Sequence, residues 1–162
     1  MNAFHNDPSY AVEAAAAQQI GKSENVDAVD ILKAAAKGNP DVHVKLAILD
    51  ALAATGDPGA ADVLLAEAQP GVSKRLRLRA LTRLANMKTT DQLAHSQQLI
   101  AMTEAALHDS FVPIQEAGED IVGNFSLAQF RSDIETEARS APTMMQRDAA
   151  SRVLQEMTLP QF

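Results

Sequence analysis

A repeated register of apolar residues constrains this chain more than any other feature. Val12, Val44, Leu76, Pro113 and Met145 follow one another at steps of 32, 32, 37 and 32 residues. One helical turn after each come Ala16, Ile48, Ala80, Ala117 and Ala149, and two turns after each come Ile20, Leu52, Leu84, Ile121 and Val153. Neither column contains a polar residue. A small or apolar side chain followed a turn later by a branched aliphatic one lets a helix seat closely on a neighbour. A recurring step of this length predicts stacked helical hairpins: an all-α fold, an α-solenoid of about four hairpins plus a terminal capping helix.

The clearest unit is NPDVHVKLAILDALAATGDPGAADVLLAEAQPG, residues 39–71. Val44, Ile48, Leu49 and Leu52 stripe its first helix, and Val63, Leu64 and Ala68 its second. Between them Gly56 suits a left-handed helix stop, Asp57 an N-cap and Pro58 a first helical turn. The chain divides on this pattern into repeats at about 7–38, 39–70, 71–108 and 109–140 with a cap at 141–157, in one domain over 1–162. In the first repeat, helices are expected over Pro8 to Ile20 and Asn25 to Lys37, with Gly21 and Gly38 as stops. Asn39-Pro40 echoes the Asp7-Pro8 turn. The third repeat carries an insertion of about five residues, before or within a second helix over Thr90 to Leu107. Pro113, Gly118 and Gly123 make the first helix of the fourth repeat the weakest by propensity.

Composition agrees with helices. Alanine is abundant, and aromatic residues make up 4% with a single Tyr and no Trp, which suits close-packed helices better than strands. The absence of cysteine excludes disulfides, thiolate metal sites and cysteine nucleophiles. No apolar run approaches the length of a membrane span. The start MNAFHNDPSY has no signal-peptide pattern, which points toward the cytoplasm. A net charge of −7 argues against nucleic acid or an anionic membrane as the partner.

The unit at 39–71 resembles a HEAT repeat of the short type first known from phycobilisome lyases, patterned as a D-P turn, V-R, A-A, A-L-G, G-D-P and an aliphatic second helix. The basic residue after the valine is present as Lys45 and Arg77 and replaced by Glu13, Ile114 and Gln146. More narrowly, DPSYAVEAAAAQQIGK, VKLAILDALAATGDPGAADVLLAEAQPG and RLRLRALTRLA are together similar to the C-terminal helical region of some zinc aminopeptidases of the aminopeptidase N family. That resemblance implies an accessory domain packed beside a catalytic one, carrying none of its zinc ligands. No H-E-x-x-H is present here.

Chemistry-bearing motifs are missing. His5, His43, His95 and His108 form no ligand pair, and there is no dinucleotide fingerprint, Walker loop or G-x-S-x-G, so no cofactor is expected. Glu119-Asp120 and the run Asp133, Glu135, Glu137 are expected to be solvated charges. An enzymatic alternative, a bilin lyase or a HEAT-type DNA glycosylase, rests on fold analogy alone; the glycosylase also wants a basic, aromatic groove that this chain lacks. The uneven feature is charge: Lys74, Arg75, Arg77, Arg79, Arg83 and Lys88 are six of the 14 basic residues. Arg75, Arg79 and Arg83 stand one turn apart and form a ridge. Lys74, Arg75, Arg77, Arg79 and Arg83 form the candidate interaction surface, which serves either an acidic peptide, a carboxylate or a phosphate of a partner protein or neighbouring domain, or, through two of its arginines, internal pairing with the next repeat, Arg79 to Glu116 and Arg83 to Asp120.

Overall fold

The computed structural model describes residues 8–23, 26–38, 41–88 and 90–158, without the side chains of Pro8, Ser9 and Asp91. His5, Asn6, Asp7, Asn25, Asn39 and Pro40, on which parts of the sequence pattern fell, lie outside the described residues. Ten α-helices and no strand are present among the described residues: α1 Pro8–Lys22, α2 Ala28–Lys37, α3 Val42–Ala54, α4 Ala61–Glu67, α5 Lys74–Ala85, α6 Asp91–Ala94, α7 Gln97–Leu107, α8 Val112–Phe125, α9 Arg131–Ser140 and α10 Met144–Glu156. Two layers result, and the chain is an α-solenoid. The first helices α1, α3, α5, α8 and α10 stack side by side in chain order, and α2, α4, α7 and α9 form the second layer. From α4 onward each second-layer helix packs chiefly against the first helix that follows it: α4 on α5, α7 on α8, α9 on α10.

The register holds where the layers close on each other. Val44, Ile48 and Leu52, then Leu76, Ala80 and Leu84, are buried, as are Ala117, Ile121 and Val153. It loosens in the two outermost first helices of the described residues: Val12 is 66% and Met145 71% exposed. In α1 the buried alanine is Ala17, one position past the expected Ala16. The final helix buries Ala150 and Val153 yet leaves Met144 and Met145 in solvent, so it covers the open face incompletely.

Turn chemistry explains the boundaries of the central unit. Gly56 has φ +67°, and Asp57 Oδ1 accepts from the Gly59 N–H at 2.7 Å. Pro58–Ala60 forms a 3-10 turn that leads into α4. Elsewhere the sequence pattern needs correction. The expected helix over Thr90 to Leu107 is broken into α6 and α7, because the Ser96 hydroxyl accepts from the Leu99 N–H and starts a new helix. Gly21 does not stop α1 but lies inside it.

Gly21 is there for contact. A Cβ at this position would fall 2.6 Å from the Ala51 carbonyl oxygen and 2.8 Å from Ala51 Cβ, because α1 crosses α3 at this point. Gly118 plays a similar part, its added Cβ meeting Ala106 Cβ at 3.0 Å and Leu107 N at 3.2 Å. The glycines of α8 thus permit close packing as well as weakening propensity. Gly21→Ala gains about 1 kcal/mol in helix propensity but forces overlap with backbone, which costs about 1–3 kcal/mol or more. A lowered melting temperature is expected in a thermal scan; a rise would mean that α1 is not seated on Ala51.

Candidate functional site: the outer face of the first-helix layer

The α5 sequence KRLRLRALTRLA turns Leu76, Ala80, Leu81 and Leu84 into the core and leaves most of its cations on the outside. Arg75, Leu78, Arg79, Thr82 and Arg83 line a shallow depression of about 340 Å³ on that outer face. Its organising residue is Asp50 of α3. Arg79 Nη1 donates to Asp50 Oδ2 at 2.9 Å and to Oδ1 at 3.2 Å, and Arg83 Nε donates to Oδ1 at 2.8 Å. The arginines therefore pair with the preceding first helix, not with Glu116 and Asp120 of the following one. The two arginines occupy positions three and seven residues into their register, one turn apart on one face of α5, and from there both reach the single carboxylate six residues into the register of α3.

One carboxylate does not neutralise this face. Arg79 and Arg83 keep side-chain exposures of 41% and 36%. Exposed Arg75 lies 3.4 Å from His43 Nε2, whose Nδ1 meets Asp41 Oδ1 at 2.9 Å. Lys74 Nζ stands 5.1 Å over the Phe111 ring, a cation–π contact. Lys88 is exposed beyond the C-terminal end of α5.

Arg77 is not part of this surface. It is buried, with Nε donating to Ala68 O at 3.1 Å, Nη2 to Ala105 O at 3.3 Å and Nη1 to the Asp109 carboxylate. Asp109 also accepts from the Phe111 N–H at 2.8 Å. That bond first, and the Arg77 guanidinium second, hold its carboxyl below the usual carboxylate range, against the effect of burial. Lys45, its register equivalent, pairs with Glu67 at 2.7 Å. The basic residue after the buried Val44 or Leu76 thus ties a first helix to the second-layer helix beneath it.

A second group of charges overturns an expectation. Glu119 is not solvated: it is 3% exposed, and its Oε2 is buried without a hydrogen-bond partner. Burial pushes its carboxyl up to about 7, helped by Glu137, Glu116 and Asp120 and opposed by Arg152. The residue lines a groove of about 640 Å³ between α8 and α10. The expectation of a solvated Glu119-Asp120 pair holds for the exposed Asp120 and fails for Glu119, whose register equivalents Asp50 and Thr82 reach the surface; the packing of α8 against α7 and α10, and not the register, buries it.

Among the described residues no group of three His, Asp or Glu side chains is placed to hold a metal ion, and no helix is long and apolar enough to cross a membrane. No curated protein matches the chain. A family model, that of HEAT repeats, matches residues 1–85. The match ends where α5 ends, and the same stacking of first helices continues through α8 and α10. With more than half of its length covered by that model and its helices layered in this way, the chain belongs to the HEAT repeat family.

Proposed function

We propose that the chain is a non-catalytic protein-interaction module whose outer first-helix face, at Lys74, Arg75, Arg79 and Arg83, engages an acidic segment of a protein partner or neighbouring domain. The observation that carries this reading is the shared use of Asp50. A single carboxylate holds two arginine forks in place, so their orientation is set before a partner arrives while an excess of positive charge remains. Preset guanidinium groups lose less freedom on binding a carboxylate than mobile lysines would. Leu78, which lines the same depression, supplies apolar contact beside them.

A fluorescein-labelled peptide of alternating glutamate and glycine tests this on the full chain by fluorescence anisotropy at low salt. Arg75→Gln combined with Arg83→Gln is expected to weaken binding about tenfold, as loss of two exposed charge-assisted contacts predicts. It should change thermal stability little, because exposed pairs contribute about 0–1 kcal/mol each. Unchanged binding alongside a clear loss of stability would mean that the arginines serve the fold alone.

A second reading is an accessory domain of an aminopeptidase N-like zinc peptidase. It is favoured by the run of stretches from DPSYAVEAAAAQQIGK to RLRLRALTRLA. In that case the ridge faces the catalytic domain of the same parent chain, and finding a zinc-peptidase domain encoded upstream of Met1 decides between the two.

A further inference from the structure

Asp50 and Glu119 hold the same place in the repeat: each lies six residues after the start of its register, at Val44 and Pro113 respectively. From the next first helix Arg79 and Arg83 flank Asp50, both bonded to it. At the equivalent positions of α10 stand Asp148 and Arg152, which line the same groove as Glu119. An acid therefore stands where the first site has its doubly bonded arginine, and the Glu119 Oε2 is left buried and unpartnered. Around it the groove carries Glu116, Asp120 and Asp148, with the exposed Met144 and Met145 along one side.

We propose that the α8–α10 groove receives an arginine side chain from a basic segment of a partner protein, its guanidinium taking beside Glu119 the place that Arg79 takes beside Asp50. Arginine fits this position better than lysine. Its planar fork can bond Glu119 and Asp120 or Asp148 together, and it gives up hydration more readily. The two methionines offer a polarisable, adaptable wall for the aliphatic stem. The chain's net charge of −7 favours approach of a basic segment. This site is separate from the α5 ridge and does not depend on it.

Titration supplies a second signature. The groups facing Glu119 are Glu116 and Asp120 on its own helix, His108 after α7, Asp133 and Glu137 of α9, and Asp148 and Arg152 of α10. Because burial first, then Glu137, Glu116 and Asp120, raise Glu119 to about 7, a bound guanidinium is met by an ionised Glu119 at higher pH and by a neutral one below.

The experiment uses the full chain and a fluorescein-labelled peptide of alternating arginine and glycine, followed by anisotropy at low salt and about pH 8. Glu119→Gln is expected to weaken binding about tenfold or more. Asp148→Arg, which supplies the missing cation from within, should abolish binding. The double variant Arg79→Gln, Arg83→Gln should bind as the unaltered chain does, which separates this site from the ridge. Affinity should fall as pH drops from about 8 to about 6, and His108→Asn should keep that dependence whereas Glu119→Gln should lose it. The proposal is overturned if Asp148→Arg binds the peptide normally. It is equally overturned if Glu135→Gln, a change on the exposed α9 surface, weakens binding as much as Glu119→Gln.

Discussion

Arg77→Met is expected to cost about 3–5 kcal/mol of folding stability, the range found when one partner of a buried ion pair is removed. The magnitude follows from what is left behind. Methionine fills much of the volume but strands the Asp109 carboxylate, whose side chain is only 15% exposed, with the Phe111 N–H as its remaining bond. It also frees two carbonyls at helix ends, Ala68 after α4 and Ala105 in the last turn of α7, which have no intrahelical donor to fall back on. Arg77→Lys restores the charge but cannot reach three acceptors, so an intermediate loss is expected. Urea denaturation gives the comparison, and a double-mutant cycle with Asp109→Asn isolates the pair. A loss below about 1 kcal/mol for Arg77→Met would mean that the guanidinium acts as a surface charge. Acid should mimic part of the defect. Asp109 has a folded pKa lowered from its ordinary value, so its contribution is present at neutral pH and lost as pH falls through that lowered value.

Glu119→Gln should act in the opposite direction, stabilising the free chain by about 2–3 kcal/mol near pH 8. The sign comes from proton uptake. An unfolded chain titrates this residue near 4.5 and the folded chain near 7, so between those values the folded state holds the extra proton. Stability is therefore highest below the first value, declines as pH rises toward the second and stays low above it. Glutamine has the same shape and never pays for ionisation in this site. Near pH 4 the two proteins should melt together, and the gap should open as pH rises. A constant gap across the range would place the origin of the effect in packing instead of charge.

How much of this was legible in advance varies with the kind of information a repeat carries. The stacking of first helices followed from the Ile48, Ala80, Ala117 column because burial between like helices imposes the same size limit at every step. Directions between helices were less accessible. Arg79 and Arg83 share columns with Glu116 and Asp120, and a column states only that residues are equivalent, not which neighbour a side chain leans toward. Arg77 was misplaced on the surface because its spacing from Arg75 and Arg79 looks like one basic run, whereas its position next to Leu76 on the register determines its burial. Gly21 could not be understood from α1 at all, since its cause is the backbone of Ala51.

The half-step offset between layers changes what counts as one building block. With α4 seated on α5, α7 on α8 and α9 on α10, the cohesive element is a second helix joined to the first helix of the succeeding repeat. Cutting the chain between sequence repeats severs that element and bares a helix on its most apolar side. Cutting after a first helix, as at Ala85, leaves each second helix still covered. Loss of order from the C-terminal end accordingly takes α9 and α10 together, and with them the acidic groove, while the arginine ridge on α5 stays intact.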